Sequence, residues 1–101
     1  MLISILIRRL RPGVTFEQFQ AAWMADPGHF GTTIKVTHAR RIDDDREVVS
    51  YAVMDMSRDD LHKILNRTEA GERTRHDRID GMIESTVIKG IYEILDEVDL
   101  T

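Results

Sequence analysis

The sequence predicts an α+β domain in which four strands form one antiparallel sheet and two helices cover one of its faces, in the order strand, helix, strand, strand, helix, strand. Three observations predict it. The opening stretch Leu2-Ile3-Ser4-Ile5-Leu6-Ile7-Arg8-Arg9-Leu10 is apolar on both alternating faces, as a central strand covered from two sides requires. Two segments carry explicit helix-start signals, one at Thr15 and one at Ser57. Three further β-rich runs lie between and after them.

In the first strand Ile3, Ile5 and Ile7 share one face, and Leu2, Ser4 and Leu6 share the other. Arg11-Pro12-Gly13 ends it. Val14-Thr15-Phe16-Glu17-Gln18-Phe19 then starts a helix. Thr15 can cap the amide three residues on, Gln18 can reach back, and Val14 and Phe19 occupy the two positions of a hydrophobic staple. Phe16, Phe19 and Trp23 recur at i, i+3 and i+7, which predicts an aromatic buried face, and Asp26-Pro27-Gly28 ends the helix.

Thr32 to Ile42 reads as the second strand, with a polar turn at Asp43-Asp44-Asp45 and a third strand from Val48 to Met56. The two form a hairpin with a loop of about five residues. In the third strand both faces are again largely apolar: Val49, Tyr51 and Val53 on one, Val48, Ala52, Met54 and Met56 on the other. Ser57 caps a second helix, Asp59 and Asp60 suit the positive end of its dipole, and Leu61, Ile64 and Leu65 give a narrow apolar stripe. The mixed-charge tract from Asn66 to Asp80 continues the helix with a solvated face, although Gly71 and Gly81 weaken its continuity. Ser85 to Val98 is the last strand.

Two successive strand–helix–strand units make the ferredoxin-like βαββαβ arrangement, with the first and third strands in the middle of the sheet. Those are the two strands that are apolar on both faces. Two helices cover one face only, so the other needs a second subunit, and a face-to-face homodimer is expected.

At 101 residues the chain is one domain, residues 1–101. Its formal net charge of -4 works against nonspecific binding to nucleic acid, so no nucleic-acid partner is expected. It has no cysteine, which excludes disulfides, thiolate metal sites and thiol catalysis. The apolar start is short and its basic pair follows the apolar run instead of preceding it, unlike a signal peptide. No stretch approaches the ~20 apolar residues of a membrane span. No membrane association is expected, and the cytoplasm is the expected location.

The opening strand, followed by Arg11-Pro12-Gly13-Val14-Thr15 and then Phe16-Glu17-Gln18-Phe19 leading to Trp23, resembles the start of the dimeric α+β barrel proteins. That group includes the antibiotic-biosynthesis monooxygenase-like, EthD-like and stress-responsive barrel families, and the likeness is nearest to EthD-like and small uncharacterised barrels. The resemblance implies a homodimer whose two sheets enclose a pocket. EthD-like sequences often carry a His one helical turn after the Trp, where this chain has Pro27, with His29 two residues later. Haem-degrading relatives also use an Asn, and Asn66 lies in the second helical region, so that activity does not transfer.

His29, His38, His62 and His76 show none of the spacings of a helix-borne metal site, and no metal or cofactor is expected. His38 lies in a strand: on a pocket face it is a candidate general base, and on a helix-facing side it is a satisfied, half-buried histidine. His29 can line a pocket mouth or stand in a surface loop. Trp23 and Tyr51 can stack on a planar ligand, the alternative for Trp23 being anchor of the first helix. Arg8 and Arg40 suit a carboxylate or phenolate if they face inward, and exposed salt bridges if they do not. The expectation is a protein that binds a small aromatic or polyketide-like molecule, as a cofactor-independent monooxygenase or isomerase. The alternative is a noncatalytic homodimeric binding or assembly module whose barrel is filled with side chains. A polar group opening into a cavity of several hundred Å³ separates the first from the second.

Overall fold

Strand alternation decides what each face of the sheet can do. In the computed structural model, which describes residues 1–101, Leu2–Leu10 forms β1, Phe16–Trp23 α1, Thr37–Arg41 β2, Asp44–Met54 β3, Arg58–Asp80 α2 and Ile83–Glu93 β4. The sheet order is β2-β3-β1-β4, with all neighbours antiparallel. This is the expected ferredoxin-like arrangement, with β1 and β3 in the middle.

The register pairs Leu2 with Met54, Ser4 with Ala52, Leu6 with Ser50 and Arg8 with Val48. These residues face the helices, so Ile3, Ile5 and Ile7, with their partners Val53, Tyr51 and Val49, make the other face. No helix covers that second face. Val53 and Tyr92 are each 47% exposed on it.

Both helix starts form as read. Thr15 accepts from the Gln18 amide at 3.2 Å while the Gln18 side chain accepts from the Thr15 amide at 2.9 Å. Ser57 accepts from the Asp60 amide at 3.1 Å. These bonds satisfy amides that the first helical turn leaves without partners.

Several strand boundaries differ from the sequence reading, β3 among them, which ends at Met54 and not Met56. β2 starts at Thr37, not Thr32, because Gly28 and Gly31 continue the loop with positive φ, and Ile34 and Val36 pack toward α2. The hairpin turn is only Ile42-Asp43, with Asp44 already in β3, where it accepts from the Arg46 amide and pairs with Arg9. α2 runs unbroken through Gly71 to Asp80, as the sequence reading has it. β4 spans Ile83–Glu93 instead of Ser85–Val98, so Ile83 joins the sheet opposite Leu10, and nothing after Glu93 is strand.

The core is not continuous. One cluster gathers Leu10, Phe19, Val48, Ile79 and Ile83 around α1, with Val14, Phe16 and Trp23 against it. A second gathers Leu2, Ala52, Met54 and Leu61, with Ile34, Val36 and Met56 against it. Small domains usually have one contiguous cluster. Here the helix-facing side of the sheet carries Ser4 and Arg8 on β1 and Ser50 on β3 between the two clusters, and side chains of those kinds do not close a core.

Candidate functional site

A cavity of about 500 Å³ occupies that break, between the sheet and α2. Its floor includes Ser4, Leu6 and Arg8 of β1 and Ser50 and Ala52 of β3. Leu61, Ile64, Leu65 and Ile79 of α2 form the roof, and Trp23, Phe30, Ile34 and Val36 wall the side where the chain leaves α1. The lining is mostly apolar; its polar side chains are Ser4, Arg8, Ser50 and Lys89 on the sheet and Glu72, Arg75 and His76 on α2. That pattern, an apolar body with a few convergent polar groups, is the ordinary form of a small-molecule site.

Arg8 reaches the floor because it shares the alternating face of Leu2, Leu6 and Leu10. It is only 5% exposed. Its Nη1 is buried without a protein hydrogen-bond partner, and its guanidinium enters none of the ion pairs of the chain. The Phe19 ring lies 5.7 Å beneath the guanidinium carbon. Burial above all, and then the charge of Arg75, lower the Arg8 pKa to about 10, while Asp80 and Glu72 act in the opposite direction without contact. The exposed salt bridge expected for Arg8 is therefore not what the fold makes of it.

Arg75 is the contrasting case. Its Nε donates to the Trp23 carbonyl at 2.9 Å and its Nη1 to Glu72, so it ties the end of α1 to α2 and has its partners. Its guanidinium lies 5.0 Å from the Trp23 ring centre. Burial would raise the Glu72 pKa, but the hydrogen bond and charge of Arg75, followed by the hydrogen bond from His29, hold it below the usual carboxylate value.

His38 is on the helix-facing side of β2, opposite Ser50. The rings of Trp23, Phe16 and Phe19 stand edge-on to it at 4.5, 5.6 and 5.7 Å. Its Nδ1 is 2.8 Å from Ser50 Oγ, while Nε2 is buried without a partner. Burial and then the Arg8 charge lower its pKa below the ordinary 6.5, so it is neutral at pH 7. The ring itself does not line the cavity; Ser50 does, and it links the two.

The other expected site residues scatter. Trp23 walls the cavity and also packs on His38. Tyr51 lies in the floor between Ser50 and Ala52, but alternation puts its ring on the uncovered face. His29 lines a second, more open depression beside Trp23, and its Nε2 is 2.7 Å from Glu72 Oε1. Arg40 is exposed at the sheet edge and lines neither. No cluster of three or more His, Asp or Glu side chains could hold a metal ion.

Glu72 and Arg75 fell within the tract read as a solvated helix face. The signal that places them inside is periodicity. Leu61, Ile64, Thr68, Glu72, Arg75 and Ile79 follow one another at steps of three or four, so the buried stripe of α2 continues through polar residues.

No protein-family model matches the chain, and no curated protein matches it. Solved structures do. An uncharacterized NIPSNAP domain protein from Burkholderia xenovorans superposes with a TM-score of 0.70 at 13% identity, over 98% of this chain and 99% of its own. Two proteins described as putative antibiotic biosynthesis monooxygenases are also similar. The one from Chloroflexus aurantiacus J-10-fl has a TM-score of 0.61 at 13% identity, over 99% and 98% of the two chains. The one from Nitrosomonas europaea has 0.56 at 15%, over 95% and 100%. The chain shares their fold. The likeness to monooxygenase-like barrels first seen in β1 and α1 thus holds for the architecture of the whole chain. The nearer likeness to EthD-like sequences rests on Phe16-Glu17-Gln18-Phe19 and Trp23 alone.

Proposed function

We propose that this protein binds a small, partly aromatic or polyketide-like molecule in the cavity between the sheet and α2, as a homodimer paired through the uncovered sheet face. The observation that carries the reading is the break in the core: an apolar space of about 500 Å³ with Arg8 and Ser50 opening on it. A domain with a filled interior would have joined its two clusters there. That weighs against a protomer packed solid with side chains, and the structures sharing the fold include two described as putative antibiotic biosynthesis monooxygenases.

The chemistry available is proton transfer. Ser50 Oγ can take a proton from an acidic C–H or O–H of the ligand while passing its own to His38 Nδ1, leaving an imidazolium and a ligand anion. Arg8 stands on the same floor to offset the anion's charge. Isomerisation needs that exchange and the return of the proton from the His38–Ser50 pair to a different atom of the delocalised anion; oxygenation would add dioxygen as second substrate to the same anion. Dimerisation through Ile5, Val53, Tyr92 and their neighbours would remove the bare apolar face from water. No helix is long and apolar enough to cross a membrane, and the reading places the protein in the cytoplasm.

Trp23, the only tryptophan, walls the cavity and is a built-in reporter. Neutral and acidic planar compounds should quench or shift its fluorescence saturably. Ser4→Phe, which fills the floor, should abolish the response in a folded protein. If no compound of this size binds, or if Ser4→Phe leaves binding intact, the reading fails.

A further inference from the structure

We infer that the cavity selects organic anions, with Arg8 as the group that recognises a carboxylate, enolate or phenolate oxygen on an otherwise apolar ligand. This rests on the cavity being a ligand site, as proposed above, and adds the chemical class of what enters it.

Arg8 is the odd member of its strand face. A buried guanidinium is ordinarily paired with a carboxylate, because a lone buried charge is strongly disfavoured. Two acidic side chains are near enough to act on Arg8, Glu72 and Asp80, but neither touches it. Glu72 is already committed to Arg75 and His29. Arg75, close enough for its charge to act on Arg8, adds a second cation on the roof side, and Lys89 of β4, opposite Leu6, adds a third to the lining. The donor left over is Arg8 Nη1, more than nine-tenths buried with its residue and without a protein partner.

Geometry separates the two ends of the ligand. Leu61, Ile34, Val36 and Met54 surround the end near the second cluster. Arg8 and Ser50 stand toward the first, where Trp23 walls the cavity and the Phe19 ring lies beneath the Arg8 guanidinium. A planar guanidinium presents donors in a fork that matches two carboxylate oxygens, or one enolate oxygen and its neighbour. A ligand with its anionic oxygen on Arg8 and its apolar body toward Leu61 would satisfy both ends. A neutral amide of the same shape would satisfy only one.

The test compares 2-naphthoate with 2-naphthamide on the wild-type protein, by Trp23 fluorescence and calorimetry at pH 7.5. The acid is expected to bind at least about tenfold tighter, the increment typical of a hydrogen bond to a charged group. In Arg8→Met the preference should vanish while the amide still binds; Arg8→Lys should restore part of it. Circular dichroism checks that both variants fold, and the wild-type contrast stands whatever they do. Equal binding of acid and amide overturns the inference and leaves the cavity reading intact. Binding of neither overturns both. A preference for the acid that persists in a folded Arg8→Met also overturns it, because the anion is then read elsewhere.

Discussion

The substitution Gly71→Ala tests how the segment after α1 is held. Gly71 sits mid-helix, where glycine is about 1 kcal/mol less favourable than alanine. A Cβ built there would lie 2.6 Å from His29 Cε1 and 3.3 Å from its Nδ1, well inside the 3.5–4.0 Å of ordinary carbon contacts. The ring has no free path aside, since Nε2 is 2.7 Å from Glu72 Oε1 and the Phe30 ring stands edge-on at 4.7 Å. Alanine therefore gains about 1 kcal/mol of helix propensity. It loses a hydrogen bond to an ionised carboxylate, about 1.5–3 kcal/mol. The expected balance is a net loss of about 1 kcal/mol, or roughly 4–8 °C in Tm for a domain this size. In a His29→Ala background the obstacle is gone, so the same change should stabilise by about 1 kcal/mol. The sign reverses between backgrounds. Urea denaturation of the four proteins at one concentration measures the coupling, expected near 2 kcal/mol. If Gly71→Ala stabilises the wild type, or acts equally in both backgrounds, His29 does not pack on α2 as described.

Three further outcomes follow from the same geometry. Because the His38 pKa is lowered on folding, the unfolded chain binds more protons below about pH 6.5. Stability should be complete above that value and fall as pH drops through it. Glu72, held below its ordinary 4.5, should add a second loss below that pH, and urea titrations from about pH 3 to 8 on wild type and His38→Phe should separate the two. Burial holds the Arg8 pKa down at about 10, which corresponds to roughly 3 kcal/mol against the buried charge. Arg8→Met should accordingly raise the urea midpoint, by up to about that amount of stability, and a lower midpoint would mean that Arg8 is paired in solution. Ile5→Lys, at the centre of the uncovered face opposite Tyr51, should yield a folded monomer by light scattering where the wild type is a dimer; a wild-type monomer refutes the proposed pairing.

The single-chain pattern determined most of the scaffold. Period-two alternation in β1 and β3 and the caps at Thr15 and Ser57 are local signals, so the βαββαβ order and the central place of β1 and β3 follow from them. The boundaries were less legible. Ile34 and Val36 have strand-like spacing, yet they turn toward α2, a choice made by long-range packing.

What only the tertiary structure decided is which of two equally apolar faces meets the helices. Alternation is symmetric in that respect: Ile3, Ile5 and Ile7 were as good a core as Leu2, Leu6 and Leu10. Once the Leu2 face turned inward, Arg8 and Ser50 went with it, His38 was drawn under the α1 aromatics, and the Tyr51 ring was sent to the other side. A polar residue at a strand position has no environment until the opposing layer is placed. The core break and the unpaired Arg8 that line the cavity are therefore properties of the assembled layers and not of any one segment.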